Sequence, residues 1–241
     1  TPNGIPGYNT VGEALRAQPT INTSLVTVPA AFAADATLEA IWHNIPLINI
    51  LTEKMPVADV ARCLYWAAQR HVRLVGPSSV GIITPRQAKL GAIGAAELVN
   101  RVFTPGPVGV ISKSGGMTAE LSRLLTTNDI GQSTALGIGG DVLLGTTFLD
   151  CARLFEHDKQ TKVLVIFVEV GGVYEEQLAA ALQAGEISKR VVALIAGDFS
   201  QLLPHGTILG HAGAIVTPGK GSVKSKITAL KKAGALIASA P

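Results

Sequence analysis

A chain of 241 residues that is 47% hydrophobic but only 5% aromatic and 15% charged, with 26 glycines, carries its apolar mass as Ala, Val, Ile and Leu. At about 100–200 residues per domain it has room for one large domain or two ordinary ones, and for a sizeable core. A formal net charge of +3, spread evenly along most of the chain, speaks against a nucleic-acid-binding or membrane-surface protein and leaves anionic small molecules as candidate ligands.

In chain order, strand-length apolar runs occur at Leu25–Val28, Leu47–Leu51 and Val72–Val75, and helical spacing of apolar residues occurs over Ala34–His43 and Val57–His71. This alternation predicts βαβ units. From Gly81 to Gly106 the chain holds Pro85, Pro105 and many alanines and glycines without a clear strand, and reads as a junction between domains. The rhythm restarts at Val108–Ile111, with further strands near Ser133–Ile138, Val163–Val168 and Val191–Ile195. Helices are expected near Met117–Thr126, Thr146–Glu156 and Tyr174–Ala184. Parallel strands alternating with helices predict an α/β protein with a doubly wound sheet. Such sheets bind ligands at the carboxyl ends of their strands. The residues there read Ser112-Lys113-Ser114-Gly115-Gly116, Gly139-Gly140-Asp141, Glu169-Val170-Gly171-Gly172, and the segment from Ala196 through His211.

Ser112–Gly116 lies where a strand turns into a helix, whose first N–H groups lack internal acceptors and whose dipole places about half a positive charge there. An anion such as phosphate suits that position, although an ordinary serine-capped turn would look the same. It is not a P-loop, because no G-x-x-x-x-G-K-[ST] run is present. His211, framed as Gly210-His211-Ala212-Gly213, sits in a long glycine-rich segment whose small neighbours leave an imidazole accessible to a bulky reacting group. Glu169 ends an apolar strand just before a Gly-Gly turn, which puts a carboxylate on the same sheet edge or simply in solvent. His43, His71, His157 and His205 have no metal-ligand spacing, so no metal site is expected. The basic run Lys220 to Lys226, continuing to Lys231-Lys232, reads as a solvated helix face. Cys63 and Cys151 lie in apolar helical stretches and read as buried free thiols in a reducing compartment. No apolar stretch reaches the roughly 18–20 residues of a membrane span, and no signal segment opens the chain, so a soluble, cytoplasmic or mitochondrial-matrix protein is expected.

Gly76-Pro77-Ser78-Ser79-Val80-Gly81-Ile82-Ile83-Thr84-Pro85, Ser112-Lys113-Ser114-Gly115, Gly137-Ile138-Gly139-Gly140-Asp141, Glu169-Val170-Gly171-Gly172 and Gly210-His211-Ala212-Gly213-Ala214-Ile215 occur in the order found in α subunits of succinyl-CoA synthetase. The set is similar, too, to the related portion of ATP-citrate lyase. The resemblance runs over nearly the whole chain. It implies a Rossmann-like coenzyme A-binding domain over residues 1–85, lacking its first strand and glycine-rich turn, a linker over 86–106, and a flavodoxin-like domain over 107–241 carrying a phosphohistidine. It makes His211 the phosphoryl carrier, Glu169 the acid that orients it, and Ser112, Lys113, Ser114, Gly115 and Gly116 the phosphate loop. For coenzyme A it implies loops containing Pro29, Ala30, Thr52 and Glu53, with Ser78 and Ser79 near the thiol end. It further implies a separate β subunit with an ATP-grasp fold that binds ATP or GTP with Mg2+.

The physics of the step agrees. An imidazole that attacks an acyl phosphate must be neutral with the correct nitrogen free, and a carboxylate on its other nitrogen fixes that tautomer. The phosphoryl group brings a charge of about −1.5 to −2, whereas one helix N-terminus offers only about +0.5. More positive charge from a partner chain, and so a heteromer, is expected. Val142 follows Asp141 where succinyl-CoA synthetases tend to have proline, and Gly115-Gly116-Met117 is similar to the citrate-lyase loop, so these residues leave the acid open; because the family's carboxylate-binding groups lie largely at the subunit boundary, the resemblance favours succinate, with malate and citrate behind it. Two other classes stay open, a non-catalytic relative that has lost coenzyme A binding and a dinucleotide-dependent oxidoreductase. The second is disfavoured by the lack of a G-x-G-x-x-G turn after a strand.

Overall fold

The computed structural model describes residues 4–94, 97–216, 219 and 221–241. Lys220, the first residue of the basic run, lies outside them. The first half of the chain forms α1 (Val11–Ala17), β1 (Thr23–Val26), α2 (Ala30–Trp42), β2 (Leu47–Ile50), α3 (Val57–Gln69) and β3 (Arg73–Val75). The three strands make a parallel sheet in the order β1-β2-β3. Proline opens both longer helices, Pro29 before α2 and Pro56 before α3, where its missing N–H costs nothing. On α3 the buried residues Val60, Cys63 and Ala67 recur at helical spacing and form one core with Ile41, Ile48 and Leu74.

The second sheet has seven strands in the order β10-β9-β8-β6-β7-β4-β5. Its elements are β4 (Gly81–Thr84), β5 (Ala88–Gly91), α4 (Val99–Val102), β6 (Pro105–Ser112), α5 (Gly115–Thr127), β7 (Gln132–Gly137), α6 (Phe148–His157), β8 (Val163–Val168), α7 (Tyr174–Gln183), β9 (Arg190–Ile195), α8 (Val223–Lys232) and β10 (Leu236–Ala238). Along β8, Leu164, Ile166 and Val168 face a core shared with α6, α7 and α8, while Val165 and Phe167 face a second core under α5. Burial of both faces is why this strand reads as an unbroken apolar run, Val-Leu-Val-Ile-Phe-Val.

Two strand assignments correct the sequence reading. The stretch from Gly81 to Gly106, expected to run without strands, contains β4 and β5, an antiparallel hairpin that extends the second sheet through pairing of β4 with β7. A boundary after residue 85 would therefore cut through a hairpin, between β4 and β5. Each of these strands is only four residues long, and glycines at the two ends and Pro85 at the turn hide them from a periodicity test. The three-residue edge strand β10 was not anticipated for the same reason of length.

The two sheets meet along the segment that joins them. Ser79, 1% exposed, places its hydroxyl 2.8 Å from Asn49 Oδ1 of β2 and 2.6 Å from Gly137 O of β7, and accepts from Gly81 N at 3.0 Å. Gly145 N donates to Gly76 O at 2.8 Å, and the Thr146 hydroxyl donates to Leu74 O. The carboxyl ends of β2 and β3 are thereby fixed against the residues that follow β7. Ser79→Ala removes the bridging hydroxyl from a closed seam, and we expect a loss of about 1–3 kcal/mol, read as a lower urea midpoint at unchanged slope.

Candidate active site

Strand β8 delivers Glu169 to the sheet edge, and the Gly171-Gly172 turn carries the chain away into α7. His211 lies on the connection between the short helical turn Asp198–Leu202 and α8. Around His211 the chain is braced: Leu209 N donates to Ala214 O at 2.9 Å, Ala214 N to His211 O at 3.0 Å, and Ile208 bridges Ile215. Gly213 N then donates to Gly140 O at 2.9 Å, pinning the loop to the residues after β7. Several glycines here leave no room for a side chain, and two of them bear directly on the histidine. A Cβ on Gly140 would lie 2.2 Å from His211 Cγ, so the ring rests against bare backbone. A Cβ on Gly171, whose φ is +89°, would lie 2.2 Å from Gly213 O.

The outcome of this packing is a hydrogen bond of 2.7 Å between His211 Nδ1 and Glu169 Oε2, with the two side chains 28% and 17% exposed. The carboxylate accepts, so the proton of the neutral ring sits on Nδ1 and the lone pair on Nε2. The hydrogen bond that His211 donates to Glu169 raises the His211 pKa above its ordinary 6.5; burial opposes this, the charge of Glu53 adds to it, and that of Lys113 subtracts. Asp141, 5% exposed, follows the glycine on which the ring rests. Burial pushes its carboxyl pKa up, against the hydrogen bond from Val142 N at 2.7 Å, and Glu53 adds to the rise.

The phosphate-loop residues divide into two groups. Ser114 caps α5 by accepting from Met117 N at 3.3 Å, and the amides of Gly115 and Gly116 open that helix. Gly116 is exposed. Ser112 is fully buried, with its hydroxyl donating to Ser114 O and accepting from Ser114 N, so it shapes the loop from inside. Lys113 is turned away from solvent: its ammonium lies 3.1 Å from Glu175 and 3.4 Å from Gly171 O. It contributes charge, not an open contact.

Pro29, Ala30, Thr52, Glu53 and Ser78 gather just beyond the carboxyl ends of β1, β2 and β3. Thr52 Oγ1 donates to Val28 O at 2.7 Å, and the Ser78 hydroxyl donates to the Glu53 carboxylate at 3.2 Å. Ser79 does not join this open edge, since its hydroxyl is buried in the seam between the sheets. Sequence reasoning missed Glu175 and Lys226, both fully buried. Lys226 was read as part of a solvated basic face, yet it shares the buried side of α8 with Val223 and Leu230. That spacing is the signal that separates it from the exposed Lys224, Lys231 and Lys232. Among the described residues no group of three His, Cys, Asp or Glu side chains could hold a metal, and no helix is long and apolar enough to cross a membrane.

The family model for CoA-ligase matches residues 111–236, and that for the CoA binding domain matches residues 1–54. An α subunit (alpha 2) of ADP-forming succinate–CoA ligase from Archaeoglobus fulgidus is 42% identical over 238 residues, covering 99% of this chain and 79% of the relative. The corresponding α subunit from Aquifex aeolicus is 41% identical over 240 residues, covering 99% of this chain and 75% of the relative. Among solved structures, a variant of ATP citrate lyase from Methanosaeta concilii in complex with (3S)-citryl-CoA superposes with a TM-score of 0.92 at 29% identity, covering 98% of this chain but only 39% of that longer one.

The His211–Glu169 pair predicts a pH signature. Because the histidine pKa is raised on folding, the pair's stabilisation is fully present below the ordinary value of 6.5 and is lost as pH rises through the higher folded value. The stability gap between the wild type and Glu169→Gln, measured by thermal unfolding, should be wide near about pH 5 and narrow near about pH 9. An equal gap at both would count against the pairing.

Proposed function

The chain belongs to the CoA-ligase family that includes the α subunits of succinate–CoA ligase, and on that premise we propose that His211 is its phosphoryl carrier. The protein is an acid–thiol ligase subunit that uses coenzyme A and works with a β subunit. The reaction interconverts acyl-CoA, phosphate and a nucleoside diphosphate with the free acid, coenzyme A and the nucleoside triphosphate.

The observation that carries the histidine assignment is the 2.7 Å bond from His211 Nδ1 to Glu169. Phosphate first displaces the thiolate of coenzyme A from the acyl carbon, giving an acyl phosphate. The Nε2 lone pair then attacks phosphorus; the P–O bond to the acyl group breaks, and the carboxylate leaves with the bonding pair. The ring becomes cationic as the N–P bond forms, and Glu169, already bonded to Nδ1–H, stabilises that charge. A nucleoside diphosphate oxygen finally takes the phosphoryl group from Nε2, and the ring returns to its starting tautomer. Catalysis of this kind rests on positioning and charge stabilisation. Ser114, with the first amides of α5 at Gly115 and Gly116, is the group suited to receive inorganic phosphate.

Coenzyme A is assigned to the edge carrying Pro29, Ala30, Thr52, Glu53 and Ser78, so that the first sheet holds the thiol donor and the second the phosphohistidine. The β subunit is taken to be an ATP-grasp chain that binds ATP or GTP with Mg2+, in the cytoplasm. Its need follows from charge: the helix dipole at α5 offsets only about +0.5 of a phosphoryl charge near −2. Succinate is the favoured acid, on the strength of relatives at 42% and 41% identity against 29% for the citrate lyase.

Incubated with its β subunit and nucleoside triphosphate, the chain should acquire acid-labile, base-stable phosphate at His211, detected by intact-mass and peptide mass spectrometry. The His211→Asn variant should acquire none. Gly140→Ala, which puts a methyl group into the space of the ring, should reduce labelling at least tenfold. Phosphate retained in His211→Asn would reject the assignment.

A further inference from the structure

Beneath the Gly171-Gly172 turn lies a set of charges that the steps above leave unused. Glu175, in the first turn of α7, and Lys226 of α8 are both 0% exposed, and Lys113 after β6 is 5% exposed. Lys226 Nζ pairs with Glu175 Oε2, and Lys113 Nζ lies 3.1 Å from Glu175 Oε1. Both ammoniums also donate to one backbone oxygen, Gly171 O, at 2.9 Å from Lys226 and 3.4 Å from Lys113. Residues remote in sequence thus converge on a single carbonyl.

Within the triad two ammoniums share one carboxylate in a place water does not reach, and Glu176, the next residue of α7, adds a further carboxylate that favours the Lys226 charge while its Oε1 accepts from Gly221 N and the Ser225 hydroxyl. A single lysine would have matched Glu175, and burying a second is costly unless something negative balances it, a charge that Glu176 helps to supply. The carbonyl the lysines hold ties the triad to the turn that follows Glu169. Gly171 follows Glu169 closely and packs directly on Gly213, just past His211, with no room for a Cβ between them. The groups whose charges His211 feels are Glu169 and Glu53, which favour its proton, and Lys113, which disfavours it; Asp141 follows the glycine beneath the ring.

We propose that Lys226, acting with Lys113 and Glu175, is a positioning residue for phosphoryl transfer. The triad's excess positive charge stabilises His211 in its phosphorylated, anionic state, and its grip on Gly171 O keeps Glu169 aimed at Nδ1. The inference deepens the phosphohistidine reading. The phosphoryl group adds about −1.5 to −2 of charge beside an ionised glutamate, more than one helix dipole offsets. A charge held rigidly beforehand lowers the cost of that state without reorganisation at the moment of transfer.

The test reads the sign of a charge, which packing alone would not move. In the α–β complex, Lys226→Met removes the excess and leaves the Lys113–Glu175 pair. Glu175→Gln enlarges the excess. The double variant restores it, with Lys113 as the remaining charge. By NMR of the ring protons, the His211 titration midpoint should rise by roughly half a unit in Lys226→Met, fall by a similar amount in Glu175→Gln, and return toward wild type in the double variant. The equilibrium fraction of phosphohistidine should drop severalfold in Lys226→Met and recover in the double variant. If Glu175→Gln does not fold, the other two variants still decide. Midpoints that stay put, or that move the same way in Lys226→Met and in the double variant, overturn the proposal. Absence of phosphohistidine in the wild-type complex rejects the carrier assignment instead, and with it the triad's role in transfer; the midpoints report separately on the triad's electrostatics.

Discussion

A hydrogen bond of 2.7 Å joins residues 42 positions apart, and much of the second sheet is arranged around it. It exists because β8 ends at Val168 with its flanks buried in two cores, so Glu169 emerges in one direction only. It persists because the histidine loop is closed on itself and tied to Gly140. Both conditions rely on atoms that are not there: a methyl group on Gly140 would displace the ring, and one on Gly171 would displace the loop beneath it. The glycines flanking the chemical residues are therefore as restrictive as the residues themselves.

The electrostatics of the site are layered. At the surface the charges are separate and partly wet, with Glu53 from the first sheet adding to the field at His211 and Asp141. In the interior they are dry and paired, with burial pushing the Lys226 pKa down while Glu175 holds it up. A resting protein with more carboxylates than cations near the ring has a histidine that binds protons readily. A protein carrying a phosphoryl group there has the opposite need, and the buried lysines address the second state more than the first.

Much of this was legible in the sequence, because the features involved have a period or a fixed order. Leu47–Ile50 and Val163–Val168 declare themselves by continuous apolar runs, and α3 by its helical spacing. His211 and Glu169 are conspicuous through the glycines about them. Features without a period stayed hidden. The β4–β5 hairpin is too short and too rich in glycine to show alternation, and it finds its place only by pairing with β7. Ser79 looks like a ligand-facing serine beside Ser78, and only tertiary packing sends one hydroxyl to Glu53 and the other into the interior. Lys226 was obscured by its neighbours: four lysines in a short stretch suggest solvent, and it takes the alignment with Val223 and Leu230 to see that one points inward.

The seam at Ser79 has a mechanical consequence. One hydroxyl touches a strand of each sheet, and the Gly145 amide and the Thr146 hydroxyl add ties to the carbonyls of Gly76 and Leu74, so the sheets are clamped at their carboxyl ends. Many enzymes that join two substrates close a cleft by swinging one domain over the other about a hinge. Here that fulcrum is occupied by hydrogen bonds, which a swing about the seam would have to break. A long, flexible carrier arm needs no such swing, because it passes from one sheet edge to the other by its own reach.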